Sequence, residues 1–198
     1  MNILMIYPKM PPTYWTMDYL VGIMGKKASY PPMGLLTVAA MLPRDWSVRL
    51  IDLNVLDYEV DGDLGPVLPE NLLAWADFAF IGAMNVQSKS AQQVIDHCKA
   101  GGLKVVAGGP LFTHEHERMR GVDHFILNEA EITLPLFLAD LAAGAPKPLY
   151  ETGEFADVRQ TPVPRWDLVN RDDYAYMIVQ YSRGCPYMCD FCDVTALF

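Results

Sequence analysis

Three thiols near the carboxyl end carry the most readable chemistry in this chain. Cys185, Cys189 and Cys192 lie in the run Arg183-Gly-Cys-Pro-Tyr-Met-Cys-Asp-Phe-Cys192, a C-x3-C-x2-C spacing with the aromatic Phe191 just before the last thiol. Cubane [4Fe–4S] clusters are usually held by four thiolates, so three ligands in one short loop leave one iron open to a substrate or cofactor. A structural zinc site takes four ligands, often as paired C-x2-C units, and no second pair exists here. A disulfide would strand one of the three thiols, and no signal peptide points to an oxidising compartment. Cys98, the remaining cysteine, lies far upstream in a helical pattern and reads as a small hydrophobe. Soft ligands at this spacing favour an iron–sulfur cluster.

The elements that must position this loop follow from periodicity. Apolar runs at Asn2–Tyr7, Val48–Leu53, Phe78–Met84, Lys104–Ala107 and Asp123–Leu127 read as strands. Several are continuously apolar, as strands buried on both faces are. Helical patterns fall at Met33–Leu42, Glu70–Trp75, Ser88–Ala100 and Glu131–Leu141, with Ser88 or Ser90 as a cap for the third and Gly101-Gly102 ending it. Alternation of this kind predicts an α/β fold, a Rossmann-like doubly wound parallel sheet with ligands at the carboxyl ends of its strands. This domain is expected over residues 1–145. Pro146, Pro148, Pro162 and Pro164 mark a linker over 146–173. Residues 174–198 read as the start of a (β/α) barrel, with Met177–Ser182 as its first strand and the cysteine loop at that strand's carboxyl end. A complete barrel needs on the order of 200 residues, so the chain reads as the front of a longer protein.

Composition bounds the partners. Of the 198 residues, 52% are hydrophobic and 20% charged, the make-up of a soluble globular protein with a real core. A net charge of −9 argues against nucleic acid, whose phosphates need clustered Lys and Arg. No apolar run approaches a bilayer span, which leaves peripheral contact as the remaining membrane role. The chain opens directly on a strand, so a cytoplasmic location is expected. No internal repeat or low-complexity tract is visible.

The loops after the strands are where ligand contacts belong. After the first strand, Pro8 to Pro32 forms a long segment holding Tyr14, Trp15, Lys26, Lys27 and Tyr30, and loops of this length in compact α/β domains are usually functional. Tyr14 and Trp15 either cover a flat ligand or cap the core. After the third strand come Met84, Asn85 and Gln87; after the fourth, Gly108 and Gly109; after the fifth, Asn128-Glu129-Ala-Glu131. The glycine pair reads as a tight turn or as a site of close backbone approach. His114-Glu-His-Glu117 reads as a solvated charged run rather than a metal site, and His124, opening a strand, as structural. Tyr181, Arg183 and Asp190 flank the cysteine loop and either tune a cluster or support the loop.

The cysteine loop resembles the cluster motif of the radical S-adenosylmethionine (SAM) superfamily. The order of the first strand, Pro31-Pro-Met-Gly-Leu35, Ala107-Gly-Gly-Pro110, Asn128-Glu-Ala-Glu131 and the three cysteines is similar to members carrying an N-terminal cobalamin-binding domain. Gly25–Ala40 and Thr161-Pro-Val-Pro-Arg-Trp-Asp167 look like the subgroup containing hopanoid C-2 methyltransferases. The resemblance implies that Cys185, Cys189 and Cys192 hold the cluster, whose open iron chelates SAM. It implies a cobalamin between domain and barrel, contacted through Tyr14, Trp15, Met84, Asn85, Gln87, Gly108, Gly109 and Glu129. It further implies methyl transfer to an unactivated carbon of a small-molecule or lipid substrate through a 5′-deoxyadenosyl radical, with a reducing partner such as flavodoxin or ferredoxin. Two features depart from the wider pattern. No His precedes His97, so the D-x-H-x-x-G cobalt ligand after the first strand is absent, and Asp96-His97 has the wrong spacing and sits in a helix. Asn128 stands where many relatives have Gly, a neutral change because Asn tolerates positive φ. Alternative outcomes are ring formation or rearrangement without methylation, and a non-catalytic cobalamin- or cluster-binding module.

Overall fold

A computed structural model describes residues 1–56, 68–187, 189, 190, 192 and 194, with the side chain of Trp15 outside that description. Phe191, too, lies outside the described residues. The central element is a six-stranded parallel sheet with order β2-β1-β3-β4-β5-β6. Its strands are β1 (Asn2–Tyr7), β2 (Ser47–Asp52), β3 (Phe78–Gly82), β4 (Lys104–Gly108), β5 (His124–Ile126) and β6 (Leu149–Tyr150).

Side chains alternate across a strand, and β1 divides its apolar residues between two cores. Leu4 and Ile6 join Ala79, Ile81, Val105 and Ala107 on one face. There they pack under α3 (Glu70–Trp75), α4 (Ser88–Ala100) and α5 (Pro110–Glu115) through Leu73, Val94, Ile95, Leu111 and Phe112. Ile3, Met5 and Tyr7 join Phe78, Phe80, Val106 and Ile126 on the other face. That face is covered by α2 (Met33–Met41) and α6 (Ala130–Ala142) through Leu35, Ala39, Leu134 and Phe137. Phe137 packs edge-on to Phe78, Phe80 and Tyr150, with centroid separations of 6.5, 6.3 and 5.7 Å. Helices on both faces of a parallel sheet make the doubly wound α/β architecture expected from the sequence.

Four local outcomes differ from the sequence reading. The sheet continues into Leu149–Tyr150, inside the stretch expected to be linker. Phe125 donates to the Pro148 carbonyl at 2.8 Å and Leu127 to that of Tyr150 at 2.9 Å; Pro146 and Pro148 stand just before this edge strand, where proline is tolerated. A short α5 occupies the region read as a charged loop, with Gly109 preceding it at φ 94 and Pro110 in its first turn, where a missing N–H costs nothing. Neither Ser88 nor Ser90 caps α4; the Ser90 hydroxyl accepts from Lys9 N at 2.9 Å and ties the loop after β1 to that helix. Met177–Ser182 forms no strand. A strand exists only by pairing, and no other strand among the described residues lies beside it.

The segment Pro8–Pro32 contains a 3-10 turn at Tyr14–Thr16, capped by Thr13, and α1 (Asp18–Ile23). The bend into α6 uses Asn128 at φ 60, a left-handed position that Asn tolerates better than most residues. Close strand packing imposes a sharper demand on Gly108. A Cβ there would stand 2.6 Å from the Ile126 carbonyl oxygen, and that atom belongs to the β5 backbone. Gly108→Ala is therefore expected to cost about 1–3 kcal/mol, measured as a lower denaturation midpoint.

Candidate functional site

In this strand order the chain leaves β1 toward β2 on one side and returns to β3 on the other. Connections diverge at that reversal, so a crevice opens at the carboxyl ends of the strands. A cavity of about 380 Å³ lies there, within the ~300–1,000 Å³ range of small-molecule sites. Tyr7, Phe80, Val106 and Ile126 form its sheet side, Leu35 and Val38 of α2 one wall, and Leu134 of α6 another. Strands β3 and β4 both end in glycine, Gly82 and Gly108, and both glycines line the cavity with Gly109. A Cβ on Gly82 would approach Leu35 Cγ to 2.9 Å, so the small residue lets α2 close on the sheet. Gly34 of α2 also lines the cavity, and its missing Cβ would meet nothing within 4 Å.

The remaining wall comes from far along the chain. Residues Tyr174 to Arg183 form a strap across the carboxyl edge, and Ile178, Gln180 and Arg183 line the cavity. Its first mooring is at Tyr174, which pairs with Ala28 in an isolated parallel bridge. Ala175 donates to the Ala28 carbonyl at 2.9 Å and Tyr176 to that of Ser29 at 2.8 Å. The buried Tyr174 hydroxyl donates to Asp52 Oδ2 at 2.9 Å, while Asn54 donates from its backbone and its side chain to Asp52 Oδ1, both at 2.8 Å. At its far end Arg183 forms ion pairs with Glu129 and Glu131. Cys185 follows within two residues.

The expected contact residues divide accordingly. Met84, Gly108, Gly109 and Glu129 line the cavity, Glu129 as a partner of Arg183. Gln87 does not line it. Its buried amide accepts from Met84 N at 2.7 Å and donates to the Pro8 carbonyl, bracing the exits of β1 and β3. Asn85 occupies the adjoining 3-10 turn outside the lining, and Tyr14 stands 84% exposed on its own turn. Sequence reasoning passed over Tyr7, Phe80, Gly82 and Gly34. The rule that ligands sit at strand carboxyl ends would have reached Gly82, which ends β3 as Gly108 ends β4. Nothing in local pattern marks Ile178 or Gln180, because their place depends on the strap folding back.

Cys185 and Cys189 are exposed and Cys192 is half-buried, none of them in a disulfide. Gly184 at φ 80 turns the chain into this loop, and Cys192 N donates to the Cys189 carbonyl at 3.0 Å. No three ligand-type side chains converge into a metal-holding group among the described residues. Thiolate loops are commonly gathered by the metal they bind, so the donor set of three accessible thiols on one loop is compatible with a cluster. Cys98 is different: burial pushes its thiol up to about 12, leaving it an inert part of the core.

A family model described as the B12 binding domain matches residues 26–138. The chain belongs to the B12-binding domain family. The match spans β2 to β5 with α2 through most of α6, which includes both helical walls of the cavity, the strand-end glycines and Glu129 and Glu131, whereas Tyr14 and Trp15 precede it and the strap follows it. The chain is 40% identical over 201 residues to an uncharacterised methyltransferase of Synechocystis, an alignment covering 100% of this chain and 35% of that protein. It is 28% identical over 202 residues to the hopanoid C-2 methylase of Rhodopseudomonas palustris, covering 100% and 36%. An uncharacterised methyltransferase of Pyrococcus horikoshii is 25% identical over 231 residues, covering 100% and 47%. The chain thus spans about a third to a half of the length of these relatives. No solved structure matches it. No helix among the described residues is long and apolar enough to cross a membrane.

Asp52 gives this domain a pH signature. Burial of its carboxylate raises its pKa above the ordinary value, opposed by the donors on Asn54 and Tyr174. The folded state thus binds this proton more tightly than the unfolded chain, a stabilisation present at low pH and lost as pH rises through the raised pKa. Asp52→Asn, which keeps an acceptor for Asn54 and cannot ionise, should lose less stability than wild type from mildly acidic to neutral pH. Denaturant midpoints across that interval measure the difference.

Proposed function

We propose that this chain is the cobalamin-binding portion of a radical SAM methyltransferase acting on an unactivated carbon. The observation that carries the reading is the shared wall: the cavity of the B12-binding domain is closed by the strap that runs into the three-cysteine loop. Bound in the cavity, cobalamin would supply a transferable methyl group, and an iron–sulfur cluster with SAM at the cysteine loop would supply the radical chemistry that prepares the acceptor carbon.

The residues present fit cobalamin in specific ways. Apolar side chains of α2, α6 and the sheet, Leu35, Val38, Phe80, Val106 and Leu134 among them, would hold part of the cofactor in the cavity of about 380 Å³. Gly34, Gly82, Gly108 and Gly109 line the cavity without side chains of their own, which permits close backbone approach. No histidine is among the described lining residues, so that lining would offer a cobalt no imidazole. Cys185, Cys189 and Cys192 would hold the cluster, leaving an iron for SAM. The chain's own contribution is to orient the two cofactors, exclude water between them and keep the cluster loop beside the cavity. A reductant such as flavodoxin or ferredoxin would supply electrons. The substrate class we favour is a polycyclic lipid of hopanoid type, on the strength of the relative named hopanoid C-2 methylase.

Two experiments test this function. Hydroxocobalamin added to the anaerobically reconstituted chain should remain after desalting near one per chain, by absorbance; a chain with its cluster but no retained corrinoid would count against the cavity as its site. Gly34→Ala sharpens the measurement, because alanine in a helix is worth about 0.5–1 kcal/mol over glycine while the added methyl crowds the rim. The variant should melt higher yet bind hydroxocobalamin several-fold more weakly. For the cluster, Cys189→Ala should abolish assembly, and iron and sulfide at wild-type levels in that variant would remove the assignment.

A further inference from the structure

Between its two moorings the strap is held very lightly. Among the described residues, no backbone hydrogen bond joins 177–182 to the domain. Val179 and Tyr181 stand 87% and 97% exposed, while the alternate residues Ile178 and Gln180 face the cavity. The next attachment is the Arg183 side chain, and all three of its guanidinium nitrogens are engaged. Nε donates to Gln180 Oε1 at 3.2 Å, Nη1 to Glu129 Oε2, and Nη2 to both Glu131 Oε1 and Thr161 Oγ1, the last at 3.2 Å. Thr161 Oγ1 in turn donates to Glu131 Oε1 at 2.7 Å. The three charged side chains are 14%, 6% and 14% exposed for Arg183, Glu129 and Glu131, so this is an inward-facing network rather than a solvated surface pair.

The placement of each partner matters. Glu129 precedes α6 and Glu131 lies in its first turn, and both carboxylates line the cavity together with Arg183. Arg183 is two residues from Cys185, so the first thiol's Cα stands at most about 7 Å from an anchored Cα. One guanidinium therefore belongs to the wall of the corrinoid cavity and to the root of the cysteine loop. Its forked donors fit two carboxylates and a hydroxyl at fixed angles, which a lysine ammonium cannot reproduce.

Resting on the function proposed above, we propose that Arg183 is a positioning residue that couples the cysteine loop to the corrinoid cavity through Glu129 and Glu131. A ligand pressing on the rim formed by α6 then restrains the loop that follows Arg183, and loss of the fork frees the loop while leaving the domain folded.

Backbone 15N order parameters of 177–187, with and without hydroxocobalamin, test this on the whole chain. In wild type, added hydroxocobalamin should raise the order parameters of this segment. Arg183→Gln should lower them into the flexible range, below about 0.6, without corrinoid and abolish the rise, while β1, β3 and β4 keep theirs. Arg183→Lys and Glu131→Gln provide gentler forms of the same break and should uncouple the loop in the same direction. A merely structural Arg183 would loosen the sheet as well and lower the melting temperature without separating loop from corrinoid. Unchanged order parameters of 177–187 in Arg183→Lys and Glu131→Gln would overturn the proposal. Failure of wild type to bind hydroxocobalamin would instead overturn the function proposed above, since order parameters without corrinoid still read the clamp.

Discussion

Placing β1 between β2 and β3 in a sheet that is parallel throughout forces the connections on its two sides to opposite faces. The crevice at its carboxyl end follows from that constraint, and most features of the site answer to it. Helices α2 and α6 cover the face on which Tyr7, Phe80, Val106 and Ile126 sit, and the gap between these helices is the cavity. The glycines ending β3 and β4 line it and let α2 and β5 pack close to the strand ends. Gln87 holds the two diverging exits at a set distance by bonding one backbone group from each. Binding chemistry thus arises where the packing of a doubly wound sheet leaves polar backbone and free space together.

The strap adds a second level. A parallel sheet of this kind would be complete without residues 174–183, yet two inward-facing polar networks recruit them. Asp52 and Tyr174 form one, with Asn54 completing the carboxylate's partners. Arg183 with Glu129, Glu131 and Thr161 forms the other. Burying charge is costly unless it is paired and hydrogen-bonded, so these networks specify one seat for the strap more than they raise overall stability. Apolar contact through Ile178 alone would let the segment slide.

Much of this was legible before any coordinates. The apolar runs of β1, β3 and β4 are unbroken, and their boundaries in the structure match the pattern closely because strands buried on both faces admit few polar residues. Asn128 at positive φ was legible for the same kind of local reason, as was the inert character of Cys98. Short elements were not. Two-residue β6 among prolines and six-residue α5 in a charged stretch carry too little periodic signal, and each exists because the neighbouring sheet supplies its partners.

The sequence alone determined residue chemistry and local conformation: three thiols at cluster spacing, alternating strands and helices, and a glycine pair after the fourth strand. Those properties depend on neighbours a few positions away. Tertiary structure decided which of these residues share a site. Glu129 and Arg183 stand 54 residues apart and Asp52 and Tyr174 122 apart, and their pairing depends on how the chain returns over the sheet. The same return set Gln87 inside as a brace, left Tyr14 out in solvent and brought Ile178 and Gln180 to the cavity. Such long-range pairings are selected by packing and by the cost of unpaired buried charge, which no short window of sequence records.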